Sequence, residues 1–113
     1  CNLYAVKVLD DDGFGRTSWI IAGMEWCVTN KISVASLSLG ASSNPMIAFA
    51  NAVKNCQDNG VTVVCASGNA YQTNFPWVGA PANSYKPGDA NASPIAVGAV
   101  DQNEKIAPFK VIS

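Results

Sequence analysis

Four short apolar runs, at 3–9, 34–39, 61–66 and 95–100, set the frame for everything this chain can fold into. Runs of this length and valine content read as strands, and the first, nearly continuous, as one buried on both faces. The first, Leu3 to Leu9, is broken only by Lys7 and ends in the polar turn Asp10-Asp11-Asp12-Gly13-Phe14-Gly15. From Ser18 the period changes. Ile20, Ile21, Met24, Cys27 and Val28 mark one face of an amphipathic helix that ends near Asn30, with Thr17 or Ser18 as its N-cap. After the second run and the turn at 40–43, Asn44 is expected to cap a helix whose first position is Pro45. Met46, Phe49, Ala50 and Val53 line its face, and Asn59-Gly60 stops it. Strand, helix, strand, helix, strand is the signature of right-handed βαβ crossovers and a parallel sheet, so the fold class is α/β.

Between the third and fourth runs, Ser67 to Pro94 holds four of the six prolines and three of the nine glycines. A loop that long inside a compact domain is usually functional. Parallel sheets bind ligands beyond the carboxyl ends of their strands. Three segments are expected there: Asp10 to Gly15, Ser38 to Ala41, and Ser67 to Ala70.

Composition excludes several activities. The chain has no histidine, so it cannot by itself supply a Ser-His-Asp or Cys-His site, nor a zinc site that needs imidazole. A net charge of −1 lacks the basic footprint of a nucleic-acid or anionic-membrane binder. No apolar run reaches the length of a spanning helix, and the first residues lack the basic flank and cleavage site of a signal peptide.

Local motifs are weighed against ordinary turns. Gly13-Phe14-Gly15 sits between a strand and a helix as a dinucleotide fingerprint would, but the third glycine position is Ser18 and three carboxylates precede it, which would repel a pyrophosphate. An EF-hand register with Gly13 at the sixth position puts Val8 first and Trp19 twelfth, neither an oxygen ligand, so a solvated acidic loop is the better reading. Ser36 and Ser38 alternate with Leu37 and Leu39, an ordinary strand pattern. Ala66-Ser67-Gly68-Asn69 is more pointed: small residues after a buried strand allow close backbone approach, and they leave one amide able to donate to a ligand oxygen. The alternative is a turn-forming asparagine.

YAVKVLDDDGFGRTSWIIAGMEW at 4–26, VASLSLG at 34–40, VTVVCASGN at 61–69 and SPIAVGAVD at 93–101 together resemble the subtilisin-like serine proteases, in unbroken order over almost the whole chain. VASLSLG and IIAGMEW look closest to the proteinase K branch. The resemblance implies that residues 1–113 are the middle section of a doubly wound, three-layer peptidase domain from a secreted endopeptidase. It places the catalytic Asp and His, in Asp-Ser/Thr-Gly and HGT motifs, before this section and the nucleophile, in a GTSMA or GTSAA motif, after it. None of these motifs occurs here, so no triad residue is carried over.

What carries over by resemblance is Asn69 as the oxyanion donor. Gly13, Phe14 and Gly15, with Ser38, Leu39 and Gly40, become two backbone edges between which a peptide lies. Ala66, Ser67, Gly68, Val78 and Gly79 become walls of the primary specificity pocket. Ala70, where relatives often place a polar or acidic residue, implies less preference for a basic side chain. The resemblance also suggests a cis Ala80–Pro81 bond. No cofactor is implied for the chemistry, no metal ligand is assigned, and a structural calcium belongs to the intact enzyme, with the insertion-like NSYKPGDAN at 83–91 removing the expectation of a site nearby. The implied partners are peptide or protein substrates and the missing parts of the same domain. The rival reading is a non-catalytic peptide-binding module, which natural termini would favour; ending inside Phe109 to Ser113, short of a complete element, speaks against them.

Cysteines at 1, 27, 56 and 65 match neither a CxxC motif nor zinc-knuckle spacing. Cys27, Cys56 and Cys65 read first as buried thiols. A Cys27–Cys56 bridge between neighbouring helices is the alternative, with Cys1 free or paired outside this section.

Overall fold

The computed structural model describes residues 1–69 and 75–106. Among them the order is α1 (Thr17–Thr29), β1 (Val34–Leu37), α2 (Ile47–Asp58), β2 (Thr62–Ala66), a 3-10 turn at Ala90–Ala92, and β3 (Ile95–Val97). β2 lies between β1 and β3, and both pairings are parallel. The expected α/β class with a parallel sheet is what forms.

Register decides which side chains are covered. Ala35 stands opposite Val63 and Leu37 opposite Cys65, and these four face the helices. They pack with Met24 and Cys27 of α1 and Ala52, Val53 and Cys56 of α2. Burying an aliphatic side chain of this size contributes roughly 1.5–3 kcal/mol, so this layer holds the section together. On the other face Val34, Ile95 and Val97 remain 56%, 54% and 48% exposed. Among the described residues the sheet is therefore covered on one side only.

The expected strand at 3–9 is not formed. Its residues run extended along α1, with Leu3 93% and Tyr4 59% exposed, across a gap of about 170 Å³ from β1. An all-apolar run needs cover on both faces, and here it has cover on one. Its seat is specific: a Cβ at Gly23 would run into Val8 Cγ1.

Helix starts also differ from expectation. Neither Thr17 nor Ser18 caps α1; the N-cap is Arg16, with no side-chain cap bond. α2 begins two residues after Pro45, and its N-cap is Met46 rather than Asn44. The chain stays extended through Met46 (φ −116°, ψ 129°), whose side chain lines a cleft described below. The stop is as expected: Gly60 takes φ +82° and the Val61 N–H donates to the Cys56 oxygen at 2.9 Å, a Schellman closure.

The insertion-like 83–91 segment and the residues after it are fastened to α2. Gln57 Nε2 donates to the Asn91 and Ser93 oxygens at 2.8 and 3.0 Å, and Asn91 Nδ2 donates to Asp58 Oδ1 at 2.8 Å. Lys54 Nζ bridges Asp58 at 2.7 Å and Asp89 at 2.9 Å. Lys54 holds both carboxyls below their ordinary range, with Asn91 helping at each, and they in turn raise Lys54.

Two outcomes follow. A depressed carboxyl contributes stability above its unfolded pKa and loses it as pH falls through the lower folded value. Amide protection factors at 89–93 in the intact protein should therefore hold above about pH 4 and decline below it. Lys54→Met should flatten that decline; an unchanged acid dependence would remove the clamp. Gly23→Ala should destabilise by about 1–3 kcal/mol in urea unfolding, because the clash with Val8 outweighs the ~1 kcal/mol that alanine gains in a helix. A stabilised variant would contradict the seating of 6–8 on α1.

Candidate functional site

Two strand ends and one turn build the site. Past Leu37, β1 continues as Ser38-Leu39-Gly40-Ala41; past Ala66, β2 continues as Ser67-Gly68-Asn69. Gly68 has φ +121°, a conformation that side chains rarely adopt, and it redirects the chain into Asn69. Backbone bonds then tie the pieces together. Ala41 and Ala80 exchange N–H donors and carbonyl acceptors at 2.9 and 3.0 Å, the Gly79 N–H donates to the Ser67 oxygen at 3.2 Å, and the Ser67 N–H donates to the Val97 oxygen at 3.0 Å. Gly79 is required for this approach, since a Cβ there would lie 2.5 Å from the Ala41 oxygen. The Ala80–Pro81 peptide is cis, as the resemblance suggests.

The result is a cleft of about 200 Å³ lined by Ser38 to Ser42, Ala66 to Asn69, Phe75, Trp77, Gly79 and Ala80. Asn69 is exposed at its rim, and among the described residues nothing takes its amide N–H groups. A second cleft of about 400 Å³ runs between Gly13-Phe14-Gly15 and Ser38-Leu39-Gly40, with Leu9, Ile20, Met46, Phe49 and Pro81 among its apolar lining. Ser38 to Gly40 thus lines both clefts.

The acidic triplet has a local task. Asp10 Oδ1 accepts from the Asp12 and Phe14 N–H groups at 3.0 and 2.9 Å, and Gly13 takes φ +85°. This turn carries 13–15 to the cleft. Among the described residues no group of three or more His, Cys, Asp or Glu side chains is placed to hold a metal ion. Cys65, just before Ala66, is fully buried; burial pushes its thiol up to about 11, so it offers no thiolate near neutrality.

Of the residues singled out from the sequence, Ala66, Ser67, Gly68, Asn69 and Gly79 meet around the first cleft and Gly13 to Gly15 face Ser38 to Gly40 across the second. Val78 does not join them. Its side chain packs against the core, and its carbonyl accepts from Asn83 Nδ2 at 3.1 Å. Ala70, the expected pocket-mouth position, lies outside the described residues. Ala41 is expected only as part of a strand-end segment; its pairing with Ala80 spans a long loop and leaves no local signal, and sequence reasoning missed Ala80 together with Phe75 and Trp77, aromatic residues in a stretch without periodicity. Met46, Phe49 and Ile20 carried an apolar signal, which was assigned wholly to helix faces.

A parallel α/β sheet with its clefts at the strand ends defines the class, and comparison with known proteins gives the family. The Subtilase family profile matches residues 1–112, and the chain belongs to that family. It is 47% identical to Subtilisin BL and 46% to Subtilisin Savinase, both of Lederbergia lenta, over 108 residues, which cover 96% of this chain and 36% of each relative. Among solved structures, a cold-adapted subtilisin-like serine proteinase superposes with a TM-score of 0.71 at 26% identity, covering 93% of this chain and 35% of that one. A lanthipeptide protease superposes equally well, at 0.71 and 22% identity, over 93% of this chain and 33% of its own, a likeness of fold. The chain spans about a third of the length of these relatives.

Gly79→Ala tests the tie that shapes the first cleft. The substitution should lower protection of the Ala41 and Ala80 amides in the intact protein by about ten-fold or more, matching 1–3 kcal/mol of forced displacement. Unchanged protection would mean that the close approach does not govern the cleft.

Proposed function

We propose that this chain is the middle section of the catalytic domain of a secreted serine endopeptidase, which hydrolyses peptide bonds through an acyl-enzyme. The observation that carries the reading is the position of Asn69, its amide, among the described residues, uncommitted at the rim of a cleft beyond the carboxyl end of β2. A carbonyl oxygen gaining negative charge there would accept from that amide, an interaction stronger in the transition state than in the ground state. An extended peptide would lie as an added strand between 13–15 and 38–40. One side chain would enter the first cleft, whose small residues Ala66, Ser67, Gly68 and Gly79 leave room for a large group.

The nucleophile and the base come from the rest of the domain, since this section has no histidine to take the nucleophile's proton. The same missing parts fit the uncovered sheet face at Val34, Ile95 and Val97. Substrates are peptides or proteins, and no cofactor takes part in this chemistry; any structural calcium is a matter for the intact enzyme. No helix among the described residues is long and apolar enough to cross a membrane.

Two measurements test the reading. Pure residues 1–113 should show no peptide hydrolysis blocked by an active-site serine reagent, and such turnover would overturn it. In the intact enzyme Asn69→Leu should lower kcat by about 10²–10³ with little change in KM; that magnitude is carried over from a subtilisin, a member of the same family. An unchanged kcat in a folded variant would remove Asn69 from the mechanism.

A further inference from the structure

Two buried thiols lie on the packed helices α1 and α2. Cys27 lies near the end of α1 and Cys56 near the end of α2, and both are buried in the core cluster. Cys56 reaches across the contact: its Sγ donates to the Met24 carbonyl oxygen of α1 at 3.6 Å. In an α-helix a carbonyl leans along the axis toward the residues one turn on, so a sulfur at the Met24 oxygen stands level with Cys27. Met24 and Cys27 are the two buried residues of α1 and share its inner face. Electrostatics agree with the placement. The Cys56 thiol is pushed up to about 11, first by burial and then by Cys27 and Glu25, whereas burial alone raises Cys65. Of the other two buried thiols, Cys27 lies on the α1 face that Cys56 reaches, whereas Cys65 belongs to β2.

All four cysteines are free thiols in this structure. We propose that Cys27 and Cys56 are a cross-linking site, closing to a disulfide between α1 and α2 when the protein matures in an oxidising compartment. The compartment follows from the proposed function; the juxtaposition of the thiols does not depend on it. During maturation, before the two helices close over the pair, one cysteine, as thiolate, attacks a sulfur of a small-molecule or protein disulfide and expels a thiolate. The second cysteine then displaces the other half of that oxidant and forms the Cys27–Cys56 bond. The two cysteines give up two protons and two electrons, and the oxidant leaves as two thiols.

The bond would close a loop of ~30 residues that contains β1 and the 38–40 edge, restricting the unfolded chain. Cys27 lies about 15 Å along α1 from Thr17, the helix end nearest the clefts. The cross-link should therefore raise stability and leave peptide binding unchanged.

The test uses the intact protein, refolded and equilibrated in glutathione buffers, quenched in acid, alkylated and peptide-mapped. Under oxidising buffer the Cys27 and Cys56 peptides should appear joined, lighter by two hydrogens than their sum. The unfolding midpoint should stand about 5 °C or more above that of the reduced form. Cys65→Ala should leave both results intact, and Cys56→Ala should abolish both. Recovery of the two peptides as alkylated free thiols from oxidising buffer would overturn the proposal, as would either one joined to any other cysteine. If Cys56→Ala does not fold, the map of the unsubstituted protein decides alone.

Discussion

Three backbone hydrogen bonds, the reciprocal pair between Ala41 and Ala80 and the one from Gly79 to Ser67, hold the ends of β1 and β2 against the 78–81 turn. The rest of the site depends on them. Without that tie the 78–81 turn would not be held against the strand ends, and the first cleft would lose one wall. The tie in turn depends on a missing side chain, because any Cβ at Gly79 would occupy the space of the Ala41 oxygen. Small residues at 40, 66, 67, 68 and 79 thus go with both features of the site: close backbone approach and an open cleft at the strand ends.

The sheet positions this arrangement through its parallel register. Because β1 and β2 run the same way and pair Leu37 with Cys65, their carboxyl ends emerge side by side, and 38–41 lies next to 66–69. The helices cover one face and leave Val34, Ile95 and Val97 open, which is how a section of a larger domain would look. A match that covers nearly all of this chain but about a third of its relatives agrees with that view.

Much of this was legible in the sequence. The runs at 34–39 and 61–66 are short, apolar and alternate with amphipathic helical segments, the pattern of parallel crossovers. The run at 3–9 has the same composition and yet forms no strand. Composition reports what a segment needs to bury, whereas pairing depends on a partner strand, and among the described residues none lies against this run. Helix starts were misread for a related reason. Asn44-Pro45 is a strong local start signal, but the path that brings Met46 to the second cleft keeps the backbone extended for two more residues. For the site, Ser67-Gly68-Asn69 stood out because a glycine and an amide directly follow a buried strand. Family likeness alone points Val78 at the pocket, and its side chain packs against the core instead. Phe75, Trp77 and Ala80 reach the cleft through a loop whose path no periodicity encodes.

The central claim is that the strand ends of this section bind a peptide and that Asn69 meets the charge that develops during its cleavage. The most direct measurement is a crystal structure of the intact enzyme with a peptide aldehyde or boronate captured by its nucleophile. The account predicts an inhibitor oxygen about 2.7–3.1 Å from Asn69 Nδ2, with the peptide backbone paired to both 13–15 and 38–40. An inhibitor oxygen held by other donors, with the Asn69 amide turned away and the peptide outside the two clefts, would contradict it.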